Sequence, residues 1–258
     1  MKYLKYGSIL IFLFIYGCPA SDSYSTINSR DIYPLAISTQ MILIVTGDWK
    51  DSTGILYRYE RDKLGEKWKP NGSSFPVIIG RAGLAWGRGL HGNDLGEGPV
   101  KHEGDGKAPA GVFQLTGIFG YTPSDGVNWL NMPYTHVDSC IECVDDTNSR
   151  YYNTIVDNRK VVDKDWNSSE IMKLSDNEYE WGIFVGHNSV PRLKGGGSCI
   201  FLHIWEGEGI PTSGCSAMKE ENLIKLLHWL NIKSFPVLVQ LPQKEYEKYR
   251  TKWELPSI

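Results

Sequence analysis

Residues 38–46, STQMILIVT, and residues 54–60, GILYRYE, decide how this chain folds. The first is a β-branched apolar run that stops at Gly47-Asp48. The second alternates apolar and polar positions until Arg61-Asp62 and Gly65 interrupt it. Both patterns suit a pleated strand with a period of two and do not fit a helical stripe. Working outward, Lys67 to Lys69 around Trp68 reads as a short returning strand. FPVIIG at 75–80 is a further compact apolar strand after the turn Asn71-Gly72. The N-terminal half is therefore expected to be a β meander. From Arg81 to Gly111 glycine recurs too often for helix, which predicts an ordered but irregular excursion, and long excursions of this kind usually carry function. Strand character returns at Gly111 to Thr116, Trp181 to Gly186, Ser198 to Trp205 and Pro236 to Leu241. Only Glu220 to Asn231 has a helical stripe, in Leu223, Leu226, Leu227 and Leu230, with Glu220 and Glu221 at the end the macrodipole favours.

Composition agrees with one mainly β domain carrying a peripheral helix. With 258 residues, 41% of them hydrophobic, the chain can bury one sizeable core. A formal charge of -3 supplies no sustained positive field, so nucleic acid is excluded as a partner. At the N-terminus, Lys2 and Lys5 precede the apolar run Ile9 to Tyr16 and then Gly17-Cys18, the layout of an export signal. The run is well short of the ~20 residues a spanning helix needs. The expected organisation is a signal peptide of lipoprotein type over 1–17, a Ser-rich tether over 18–36, a folded domain over 37–243 and a C-terminal tail over 244–258. Ile15-Tyr16-Gly17-Cys18 resembles a bacterial lipobox, which implies a lipid anchor on Cys18 as the chain's sole membrane contact. Ordinary cleavage near Pro19-Ala20-Ser21 is the alternative. Either route predicts an exported protein of the periplasm or cell envelope.

Among the five cysteines, Cys215 is the one placed for reactivity. It lies in Thr212-Ser213-Gly214-Cys215, read as immediately preceding the helix, where unpaired N–H groups and the macrodipole favour a thiolate. A base is available in His203, twelve positions upstream on a predicted strand. The Gly- and Pro-containing segment between them can fold back to bring the two side chains together. The competing reading is a buried cysteine and a backbone-satisfied histidine.

The stretch Gly197-Ser198-Cys199-Ile200-Phe201-Leu202-His203, followed by Thr212-Ser213-Gly214-Cys215-Ser216-Ala217-Met218, resembles the signature of the YkuD-type L,D-transpeptidases. That pattern is a strand-borne His, a glycine-rich insert, then Ser/Thr-x-Gly-Cys. Glu103 to Gly111, EGDGKAPAG, is similar to another element of the family, and Val144-Asp145-Asp146 with Tyr152-Asn153 to a third, so the likeness spans roughly residues 38 to 241. The resemblance implies a single YkuD-like β-sandwich domain and a cysteine-nucleophile acyltransferase acting on peptidoglycan stem peptides, with no cofactor. In it Cys215 is the nucleophile, His203 the base, and the backbone of Gly214 and Cys215 the oxyanion donors; Thr212, Ser213, His187 and Asn188 are candidate substrate contacts. Three departures matter, the first an insert between His203 and Cys215 shorter than is usual in the family, which implies a distinct branch. Ser213 stands where many members carry a second His, and Ala217 where many carry an Arg, so Arg81, Arg88, Lys107 and Arg192 become the candidate carboxylate contacts. The same site used with water, as an L,D-carboxypeptidase or endopeptidase, is the nearest alternative, and a non-catalytic peptidoglycan-binding lipoprotein the next.

The remaining candidates carry less. His91, His102 and His136 lack metal-ligand spacing, and no metal is expected. His228 is predicted to be solvent-exposed on its helix. Cys140 and Cys143 form a CxxC that reads as a short disulfide, with zinc and redox readings unsupported. Glu103 and Asp105 read as turn formers in preference to a glycosidase pair.

Overall fold

The computed structural model describes residues 34–92 and 96–258. The proposed signal peptide, Cys18 and most of the tether lie outside the described residues. The meander consists of β1 (Gln40–Thr46), β2 (Thr53–Glu60), β3 (Lys69–Pro70) and β4 (Phe75–Ile78), followed by β5 (Leu84–Trp86) inside the glycine-rich excursion and the long β6 (Ala108–Gly120). Then come β7 (Tyr134–His136), β8 (Ile141–Val144), β9 (Thr154–Asp157), β10 (Ser169–Ile171) and β11 (Trp181–Val185). The C-terminal part contributes β12 (Phe201–Ile204), β13 (Ser216–Met218), helix α1 (Glu220–Trp229), β14 (Val237–Pro242) and helix α2 (Gln243–Tyr249).

The main sheet runs β1-β14-β6-β11-β12-β13-β4-β2, and β1 also pairs with β2, so the path closes on itself as a barrel-like sandwich. Closure leaves few open edges and explains why β1, with every position buried, is a continuous apolar run while β2 alternates. A second, three-stranded sheet, β10-β8-β9, lies off this path. In α1 the stripe Leu223, Leu226 and Leu227, with Leu230 just beyond, is fully buried as its spacing predicts. His228 is exposed, with its ring 4.1 Å from that of Trp129.

Three expectations change. Residues 244–258 do not form a free tail: α2 and the segment after it place Tyr246, Tyr249, Trp253 and Leu255 in the main core, so the domain extends past residue 243. The strand expected over 198–205 begins only at Phe201, because Cys199 adopts a left-handed φ of 54° that breaks the ladder. Cys140 and Cys143 do not pair. Cys143 is joined to Cys199, 56 residues away, and Cys140 is free. Among the described residues no helix is long and apolar enough to cross a membrane, and no His/Cys/Asp/Glu group could hold a metal ion.

Candidate active site

β12 and β13 are neighbouring parallel strands in which His203 lies opposite Ala217. Stepping back two positions from Ala217 returns to the same face of the sheet, and that position is Cys215. Cys215 and His203 accordingly line one cleft of about 400 Å³, together with Arg81, Lys101, Tyr179 and a wall of carboxylates. Parallel pairing requires a crossover, and residues 205–214 supply it without a helix. Thr212 organises the return, donating its hydroxyl to the Cys215 carbonyl at 2.6 Å and accepting the Gly214 N–H at 3.1 Å. Gly214 has φ +154°, and a Cβ there would sit 3.1 Å from the Lys107 carbonyl, so glycine is the residue that fits.

This geometry revises the electrostatics inferred from sequence. Helix α1 starts at Glu220, with β13 intervening, so Cys215 is not at a helix N-terminus and receives no activation from one. Its sulfur is buried, accepts the Phe201 N–H at 3.3 Å and lies 3.5 Å from the Cys199 carbonyl. Burial pushes the thiol pKa up to about 12, the Glu170 carboxylate adds to the rise, and the Phe201 N–H opposes it. His203 is only 3% exposed, and burial lowers its pKa to about 4. Its Nδ1 lies 2.7 Å from the Ile204 carbonyl. A carbonyl only accepts, so Nδ1 carries the hydrogen and Nε2 keeps the lone pair a base requires. The site at rest holds a neutral thiol and a neutral imidazole.

The other sequence candidates separate cleanly. Thr212 and Ser213 line the cleft, and Ser213 accepts from Arg81 at 3.0 Å. His187 and Asn188 do not line it. His187 is buried, with Nδ1 accepting the Arg88 N–H and Nε2 facing the Gly196 carbonyl, while Asn188 clasps Leu193 and Gly197; together they brace the loop that leads into β12. The Gly214 N–H is engaged by Thr212, which removes it as a ready oxyanion donor. Of the candidate cations, only Arg81 faces the cleft. Arg88 lines a different cavity, Lys107 donates to the Ala82 carbonyl and Arg192 to that of Tyr152. Asp105 closes its turn through the N–H groups of His102 and Lys107 and pairs with Lys101 at 2.6 Å, while Glu103 accepts from Tyr152 and Ser198. Sequence reasoning overlooked Lys101, Glu170 and Tyr179. The last two come from segments whose local patterns carry no sign of convergence.

The buried neutral histidines predict a pH effect. Burial lowers His187 to about 3, so between its unfolded value near 6.5 and that point the unfolded chain takes up a proton that the fold refuses. Stability supplied by this group is complete above about pH 6.5 and is lost as pH falls, roughly 3 kcal/mol of it by pH 4. Glu170, raised to about 7 by burial, acts in the opposite direction. The histidine contribution is therefore read as a difference: urea midpoints from pH 7 to 4 should fall less steeply for His187→Gln, whose amide can still donate to Gly196, than for wild type. Equal slopes would refute the assignment.

A buried thiol and an imidazole with a free Nε2 line one open cleft. A family model of the L,D-transpeptidase catalytic domain matches residues 50–239, and the chain belongs to that YkuD family. No curated protein and no solved structure matches it.

Proposed function

We propose that this protein is a peptidoglycan L,D-transpeptidase that works through a Cys215 thioester on stem tetrapeptides and so remodels the cell wall. The observation that carries the reading is the convergence of Cys215 and His203 on one face of adjacent parallel strands, inside a chain of this family. Cys215 attacks the carbonyl of the penultimate residue of the stem and a C–S bond replaces the C–N bond to D-alanine. The Cys215 N–H steadies the oxyanion, and His203 activates the acceptor amine that resolves the thioester. Arg81, held at the rim by Ser213, is the cation positioned for a substrate carboxylate in place of the arginine missing at Ala217.

Water as acceptor would make the same site an L,D-carboxypeptidase, and the openness of the cleft to solvent keeps that second reading in view. Incubation with a tetrapeptide muropeptide separates the two: cross-linked dimers together with free D-alanine are expected, whereas tripeptide alone would assign the hydrolytic activity. Absence of both products and of a carbapenem adduct on Cys215 would favour a peptidoglycan-binding role. The Cys143–Cys199 disulfide is the kind of cross-link that persists in an oxidising compartment and supports export through the N-terminal segment, with Cys18 as the proposed anchor. Protease accessibility of the chain in intact cells, with and without Cys18→Ser, tests that placement.

A further inference from the structure

Of the four candidate carboxylate contacts, Arg88 is the one whose cation the fold leaves unused. Its Nε is buried without a hydrogen-bond partner, and among the described residues nothing else engages its guanidinium through a hydrogen bond or an ion pair. A buried guanidinium nitrogen has given up its water and needs a replacement, so an unanswered one points to a ligand. The backbone here is firmly held. The Arg88 N–H donates to His187 Nδ1 at 3.3 Å, and its carbonyl accepts the Asn188 N–H at 2.9 Å. On its C-terminal side Gly89 lies so close to β6 that a Cβ there would strike the Val112 carbonyl. His187 and Asn188, which do not reach the catalytic cleft, thus fix the position of Arg88.

Arg88 lines a cavity of about 280 Å³, at the small end for a ligand site. Gln114 and Thr116 line it too. They are two positions apart on one face of β6 and are that strand's only positions not buried. The ladder between β6 and β11 skips Thr116, passing from Gly117 opposite Phe184 to Leu115 opposite Val185, and such an irregularity re-aims side chains. Among the described residues that line the cavity none is acidic. Leu90, 44% exposed, and Val190, 94% exposed, give it an apolar edge. One cation, an amide, a hydroxyl and an aliphatic edge suit a small monoanion with an apolar group. The planar guanidinium fork matches a carboxylate.

We propose that the Arg88 cavity binds the C-terminal carboxylate of a peptide, with the small aliphatic side chain of its last residue against Leu90 and Val190. A third cavity, of about 220 Å³, lies next to both sites. It shares Thr116, Gly186 and Ser189 with the Arg88 cavity, and Cys199 and Ile200 with the cleft of Cys215. Cross-linking brings two stem peptides together, each with its own carboxylate. In the reaction proposed above, on which this use of the site rests, Arg81 takes the carboxylate of the stem being opened and Arg88 that of the stem being joined to it.

Amide chemical shifts of the full chain, followed during titration with N-acetyl-D-alanine, test the site. Saturable shifts are expected at Gly89, Gly186 and Ser189, and N-acetyl-D-alaninamide, which lacks the charge, should produce none. Arg88→Gln should weaken binding by about tenfold or more, and Arg88→Lys, which keeps the charge without the fork, should fall between. Arg81→Gln should leave these shifts as they are in wild type, which separates the site from the cleft. The Arg88 guanidinium bonds no other group of the fold, so both variants should remain folded. Absence of saturable shifts, equal affinity in Arg88→Gln, equal affinity for the alaninamide, or tighter binding of inorganic phosphate overturns the proposal. The acceptor role has its own readout: with tetrapeptide muropeptide, Arg88→Gln should lower the ratio of dimer formed to D-alanine released, and an unchanged ratio overturns that role. A wild type that forms no dimer defeats the transpeptidase reading, while the titration still decides the carboxylate site.

Discussion

Replacing Cys215 with alanine is expected to reduce D-alanine release from a tetrapeptide muropeptide by at least about a thousandfold, because the covalent route is lost and His203 alone cannot replace it. The fold should survive. The thiol's structural contacts are one accepted N–H, from Phe201, one long hydrogen bond donated to the Cys199 carbonyl, and packing in the small cluster that contains Phe119, Tyr179 and Phe201, so the stability change should stay within about 1 kcal/mol. Release of D-alanine measured beside the thermal midpoint checks both statements. A folded variant that retains activity removes Cys215 from the mechanism.

Loss of the Cys143–Cys199 disulfide should have the largest effect on stability. The bridge closes a loop of 56 residues, for which chain entropy in the unfolded state predicts about 4 kcal/mol. Its position couples stability to activity. Cys143 lies in β8, whose antiparallel partner β10 carries Glu170, and Cys199 presents its carbonyl to the Cys215 sulfur. Cys143→Ser should lower the urea midpoint by an amount equivalent to about 4 kcal/mol and slow Cys215 acylation by a carbapenem. Dithiothreitol should reproduce both changes in wild type and leave Cys143→Ser unaltered. A reductant effect of equal size in both proteins would place its cause elsewhere.

Local pattern made much of the architecture legible. The alternation in residues 54–60, the unbroken apolar run of β1 and the leucine stripe of α1 each report a single element's burial, which depends on spacing within a few residues. The short strands β5, β7, β8, β9, β10 and β13 escaped notice because three or four residues hold too few periods to display alternation, and their pairing energy comes from partners far along the chain. Residues 244–258 looked like a polar tail because their buried positions are aromatics spaced among charged residues, and only contact with the core shows that they are packed.

The site divides in the same way. Cys215 and His203 could be singled out from residue type and order, since a thiol and an imidazole on either side of a Gly- and Pro-containing turn restrict the chemistry to a few possibilities. Their shared face follows from the parallel register of β12 and β13, which is a relation between strands. The disulfide partner of Cys143, the withdrawal of His187 and Asn188 from the cleft, and the presence of Tyr179 and Glu170 in its lining were decided by tertiary structure alone. Each depends on a distance between segments tens of residues apart, and chain closure over such separations costs so little extra with length that no local feature of the sequence records which closure occurs.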